Sequence, residues 1–198
     1  VLAILFASVV ISVFLFKDKI IQRFVTEANK HLNTPVKIDK IDVSMFDDFP
    51  NLAIVLTDVY VEDSHPGIYP LLTAQRIAFT LSPVQLWKGN YSIRGLSITG
   101  SETNLRINAA GKANYIILKE TQGDGTGVVQ FDLRNVRLNN TIVSYLDQQA
   151  DQHHVFNSEK LTASIVVTGY LYSITAKGDV ITEQICLGNT QFLTNKTF

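Results

Sequence analysis

Leu56-Thr-Asp-Val-Tyr-Val61 is the stretch on which the fold turns. Successive residues of a strand point to opposite faces, so an unbroken ladder would separate Leu56 from Val59 and Val61. The third residue, Asp58, belongs to a type that tolerates positive φ. A β-bulge there would reset the alternation and return all three apolar side chains to one face. The pattern recurs in Ile93-Arg-Gly-Leu-Ser-Ile98 and in Leu133-Arg-Asn-Val-Arg-Leu138, with Gly95 and Asn135 in the third place. The expected bulges, Asp58, Gly95 and Asn135, are thus spaced by roughly 40 residues. Leu72-Thr-Ala-Gln-Arg-Ile-Ala-Phe-Thr-Leu81 and Phe156-Asn-Ser-Glu-Lys-Leu-Thr-Ala-Ser-Ile165 share a second pattern at about twice that spacing. A chain built this way adds similar strand units along one axis.

From Val36 onward the sequence alternates short runs of Val, Ile, Thr, Tyr and Phe with Gly, Asn, Asp, Ser and Pro, the pattern of an antiparallel all-β region without a second convincing helix. One face collects Leu56, Val59 and Val61; Ile77, Phe79 and Leu81; Ile93, Leu96 and Ile98; Leu105 and Ile107. It continues through Phe131, Leu133, Val136 and Leu138 to Leu161, Ile165 and Val167. In an ordinary β-sandwich a second sheet would bury that surface. In a single elongated, curved sheet it would form an open groove for an apolar ligand. The second arrangement is the one expected over residues 35–198, with these side chains lining the apolar groove.

Ahead of the strands, Val1-Leu-Ala-Ile-Leu-Phe-Ala-Ser-Val-Val-Ile-Ser-Val-Phe-Leu-Phe16 carries no charge. Leu2, Ile4, Leu5, Phe6, Val9, Val10, Ile11, Val13, Phe14, Leu15 and Phe16 give it the character of an uncleaved membrane anchor, slightly short of the ~20 apolar residues that span a bilayer. No small-x-small cleavage site follows it. Residues 17–34 place Ile20, Ile21, Phe24, Val25, Ala28 and Leu32 at helical spacing, with charged and polar residues largely opposite, and Pro35 ends the pattern. An amphipathic helix continuing the anchor is expected. Lys17, Lys19 and Arg23 follow the anchor, a placement that favours a cytoplasmic carboxyl side. The chain starts with Val1 and still carries strand-like residues at Phe192, Leu193 and Phe198, so it reads as part of a longer protein.

Composition removes several classes of function. With 17 Lys and Arg against 18 Asp and Glu, a net charge of −1 and 46% hydrophobic residues, the chain is neither disordered nor suited to nucleic acid. Cys186 stands alone, which excludes an intramolecular disulfide or a thiolate zinc site. Asp147-Gln-Gln-Ala-Asp-Gln-His-His154 reads as a polar hairpin tip, because adjacent histidines on a strand diverge. The Phe46-Asp-Asp-Phe-Pro50 carboxylates read as a solvated turn, and Gly123-Asp-Gly-Thr-Gly127 as a loop. No nucleophile elbow, phosphate loop, zinc motif or dinucleotide fingerprint occurs. The expectation is a protein that is not an enzyme and carries no metal or other cofactor.

Several pieces in order resemble the amino-terminal part of the bacterial AsmA family. They are the anchor and helix, Pro35-Val-Lys-Ile38, Phe46-Asp-Asp-Phe-Pro-Asn-Leu52 leading into Leu56–Val61, and Leu71-Leu-Thr-Ala74. Leu81-Ser-Pro-Val-Gln-Leu-Trp-Lys-Gly89 and Ile93–Ile98 running to Gly111-Lys-Ala-Asn114 follow. The likeness covers roughly residues 1–118, and the remainder follows by pattern only. AsmA-like proteins, akin to TamB-like and bridge-like lipid transfer proteins, carry a long β-sheet groove. The resemblance implies an inner-membrane anchor, a periplasmic body and phospholipid as partner, in outer-membrane biogenesis. That orientation opposes the charge tendency after the anchor. The competing expectation is an envelope assembly or structural factor with a closed core that acts through envelope proteins.

Overall fold

The computed structural model describes residues 18–19, 21–22, 25–26, 32–45, 51–67, 69–88, 93–117, 135–168 and 171–198; at 86–87, 165–168 and 171–174 it describes the backbone. The expected anchor, residues 1–16, lies outside the described residues, as do Phe131, Leu133 and the Gly123–Gly127 loop. Among the described residues no helix is long and apolar enough to cross a membrane. Where the amphipathic helix is expected, residues 18–19, 21–22 and 25–26 are helical, with Ile21 and Val25 half-buried and Asp18, Lys19, Gln22 and Thr26 exposed.

The protein is mainly β. Its strands are β1 (Val36–Ser44), β2 (Leu52–Glu62), β3 (Pro70–Leu81), β4 (Ile93–Ile107), β5 (Val136–Asp147), β6 (Gln152–Thr168), β7 (Leu171–Gly178), β8 (Ile181–Leu187), β9 (Thr190–Leu193) and β10 (Lys196–Thr197). They form one open sheet in the order β1-β2-β3-β4-β5-β6-β8-β10, with β7 beside β6 and β9 beside β8. The sheet is dominated by antiparallel pairs, as expected, with one departure: β4 and β5 run parallel, Leu96 beside Val136 and Ile107 beside Asp147. A parallel pair needs a long return connection, and a local hydropathy pattern carries no strand direction. A second departure is the short helix α1 (Pro83–Trp87). Ser82-Pro83 is a start signal, since proline suits the first helical position, but five residues are too few to display helical periodicity.

The alternation reset expected at Asp58 is present in a wider form. Asp58 has φ 50°, and Leu56 and Val59 on either side of it are both in the buried core. Yet the β2–β3 register is the same on both sides, Thr57 opposite Arg76 and Val59 opposite Ala74. No extra residue is inserted, because the neighbouring strands reset in the same row. Flanking pairs place Asp39, Asp58, Gln75, Gly100, Asn140 and Glu159 in one line across β1 to β6. Gly100 and Asn140 share the left-handed backbone, with φ 59° and 51°. On the seventh strand position the line falls where the chain breaks between β7 and β8, and Ser158 Oγ donates to the Asp179 carbonyl at 2.8 Å. Gly178, φ 148°, ends β7 there, and a Cβ on it would collide with the Lys160 carbonyl oxygen.

Gly95 and Asn135 are placed differently from Asp58. Neither has a left-handed backbone. Gly95 adjoins a true bulge: Thr80 pairs Gly95 while Leu81 pairs Ile93, leaving Arg94 as the extra residue. Asn135 precedes β5, and its carbonyl accepts a hydrogen bond from Leu96 N at 2.9 Å. The left-handed positions on β4 and β5 are Gly100 and Asn140, five residues beyond the expected ones.

Candidate functional site: the apolar face of the sheet

The reset row gives the sheet two chemically distinct faces. On one side, Asp39, Asp58, Gln75, Asn140 and Glu159 are all exposed. On the other, the next residues along, Val59, Ala74, Ser101, Thr141 and Ser158, are all buried. Register then assigns the remaining side chains. Val43, Ile54, Phe79 and Leu96 share one row, and Ile41, Leu56, Ile77, Ile98, Leu138 and Leu161 another, all on the same side as Val59 and Ala74.

The expected groove residues divide into two groups on that face. Leu56, Val59, Val61, Ile77, Leu81 and Ile93 belong to one buried cluster with Ile54, Leu71 and Ala74, and Phe79, Leu96, Ile98 and Leu105 pack against it half-buried. Over β1 to β4 the face is therefore a buried core. Ile117 also packs on it. Val136 is buried at the β4–β5 boundary, but Leu138 and Leu161 beyond it are only half-buried, like Ile107 at the far end of β4. Backbone pairing puts Ile165 opposite Ile174 and Val167 opposite Tyr172.

Across the reset row the same face turns polar from β4 onward. Ser101 Oγ donates to Thr141 Oγ1 at 3.2 Å, and both residues are buried. Next come Val143 opposite Phe156 and Tyr145 opposite His154. The Tyr145 and His154 rings stack with centroids 5.9 Å apart, and His154 and Phe156 lie tilted at 6.4 Å. Tyr145 Oη donates to Asp147 Oδ2 at 3.1 Å, while Gln149 N and Ala150 N donate to Asp147 Oδ1, both at 2.9 Å. The backbone bond from Ala150 leads the causes that hold the Asp147 carboxyl below its ordinary range. Desolvation, then the bond to Asp147, pushes the Tyr145 phenol up.

The hairpin tip reads as expected in one respect: residues 148–151 form the turn and the two histidines diverge. His154 joins the aromatic stack, whereas His153 pairs in register with Cys186, and Gln184 Nε2 lies 3.4 Å from His153 Nδ1. Among the described residues no group of three His, Cys, Asp or Glu side chains could hold a metal ion.

A polar latch that the sequence reading missed fixes the loop bearing Ile117. Asn114, fully buried, donates through Nδ2 to Asp63 Oδ2 at 3.1 Å and to the Asn104 carbonyl at 2.8 Å, and its Oδ1 accepts from Arg106 N at 2.7 Å. Arg106 pairs with the buried Asp63 carboxylate and lies 4.4 Å from the Tyr69 ring centroid. The Asn114 carbonyl accepts from Ser64 N at 2.9 Å. Ile117 at the end of this loop reaches the core, and its carbonyl takes a hydrogen bond from Asn33 N at 2.8 Å. The network joins residues far apart in sequence, and no short motif announces it. Gly111-Lys-Ala-Asn114 is the one piece of it that carried a signal, through the family resemblance.

No protein-family model, curated protein or solved structure matches the chain.

Proposed function

We propose that the chain is the membrane-proximal part of an AsmA-like, non-enzymatic lipid-handling protein, with residues 1–16 as its anchor and the sheet in the periplasm. Phospholipid acyl chains would lie along the apolar face, and the head group would remain in water at the open edge. The observation that supports this reading is that the apolar face runs past the buried core of β1–β4 into β5 and β6, where Leu138 and Leu161 of the same open sheet stay half-buried. An acyl chain gains about 0.8 kcal/mol for each methylene removed from water, so a continuous apolar path lowers the barrier to leaving a bilayer. Such transfer needs no reactive group, and the direction of transfer would be supplied by partners elsewhere.

The buried core over β1–β4 favours a second reading, an envelope scaffold that binds protein partners and retains no lipid. Mass spectrometry of the full chain purified gently in mild detergent separates the two. The carrier keeps phospholipid and the scaffold keeps none. Leu161→Asp, at a half-buried site, should abolish lipid retention and leave the sheet folded, whereas Phe79→Asp, packed on the core, should unfold the protein in either case. Absence of phospholipid from the folded wild-type chain would reject the carrier.

A further inference from the structure

The opposite face of the sheet carries a cavity of about 270 Å³ between β2 and β5. Ala53 and Ala78, both buried, make its floor. Arg76, Thr80, Ser97, Arg137 and Asn139 supply the polar lining, and among the described residues no carboxylate lines it. Register explains the assembly. Ala78, Ser97 and Arg137 are neighbours in one row, and Arg76, Thr99 and Asn139 in the next. Small side chains at Ala78 and Ser97 leave the space that the two arginines flank from β3 and β5. Two guanidinium groups thus flank one cavity in a chain whose net charge is −1. The nearest acid on that row, Asp42, lies beyond β2 and is 3.4 Å from Lys40.

We propose that this cavity binds the phosphate group of a small soluble phosphomonoester. Two positive charges match the dianion, and guanidinium forks, hydroxyls and an amide are the donors that phosphate oxygens accept from. Arg76 and Arg137 each already have a partner within the protein. A guanidinium has five N–H donors, enough to keep that partner and hold an oxyanion. The size accommodates the phosphate with a short polyol and falls just below the range of drug-sized sites. A lipid on the apolar face cannot present its head group here, because the sheet itself intervenes. The inference is therefore independent of lipid carriage.

Calorimetric titration of the full chain with inorganic phosphate and with glycerol 3-phosphate tests it. Saturable binding is expected, tighter for the ester. Arg76→Gln and Arg137→Gln should each weaken it by about tenfold or more, and Asn139→Asp, nearly isosteric, should do the same by charge repulsion. Lys37→Gln, on the exposed edge strand away from the cavity, should leave affinity within about twofold. Should the arginine variants fail to fold, Asn139→Asp decides. No saturable binding of either probe, unchanged affinity in Asn139→Asp, or binding confined to vesicles containing phosphatidic acid would each overturn the proposal.

Discussion

Asp58 on β2 and Asn140 on β5 lie in the same transverse row of the sheet, and both hold left-handed backbones at φ 50° and 51°. Their side chains are exposed, so backbone conformation rather than packing governs what these positions accept. Asp58→Val and Asn140→Val should each cost about 2 kcal/mol, since a β-branched residue suits that region worst. Asp58→Gly should be neutral or stabilising by up to about 1 kcal/mol, in contrast to its effect in an ordinary strand interior. Urea unfolding midpoints of the variants check the sign. A Gly variant markedly less stable than wild type would mean that the aspartate side chain itself matters.

Asp58 was legible because apolar residues flank it on both sides of the parity change, Leu56 before and Val59 and Val61 after. At Gly100 and Asn140 the following inward residues are Ser101 and Thr141, so the reset leaves no hydropathy trace. The visible shift at Ile93–Leu96 belongs instead to the Arg94 bulge. The pattern shared by Leu72–Leu81 and Phe156–Ile165 aligns Gln75 with Glu159, and both lie on the row. Side-chain parity is thus readable wherever the inward residues are apolar. Strand direction at β4–β5 and the joining of Asp63 to Asn114 depend on contacts between distant segments, which no local pattern encodes.

Asn114 is the most consequential polar side chain for holding the Ile117 loop on the core. Asn114→Ala removes three hydrogen bonds and leaves Asp63, whose side chain is fully shielded, with one donor fewer. A loss of about 2–4 kcal/mol is expected, read from thermal or urea unfolding. Asn114→Asp should be at least as damaging, because it sets a second carboxylate beside Asp63. Faster hydrogen exchange confined to residues 108–117 would mark a local opening.

Asp147 gives the stability a definite acid dependence. Hydrogen bonds led by the one from Ala150 N hold its folded pKa below the ordinary 3.8, so its contribution is present above that value and is lost as pH falls through the folded pKa. Tyr145 acts at the other end. With its folded pKa raised above 10.0, its contribution is present below that pH and is lost as pH rises through the raised value. Asp147→Asn should flatten the acid limb of a plot of urea midpoint against pH, and Tyr145→Phe the alkaline limb. An acid limb unchanged in Asp147→Asn would assign the dependence to other carboxylates.

Ser101 and Thr141 mark the point where the apolar face becomes polar, and their hydroxyls depend on each other at 3.2 Å. Ser101→Ala alone leaves the Thr141 hydroxyl buried without its partner, and Thr141→Val alone does the same to Ser101. Each single change should therefore cost about 1–2 kcal/mol. In the double variant neither hydroxyl remains to be orphaned, so the combined cost should fall short of the sum by about 0.5–1.5 kcal/mol. Additive losses would show that the hydroxyls act independently. The double variant also lengthens the apolar path beside Phe156 and Val143. If acyl chains use that path, the variant should retain more phospholipid through purification than wild type, whereas a face that serves only as core should show the stability change alone.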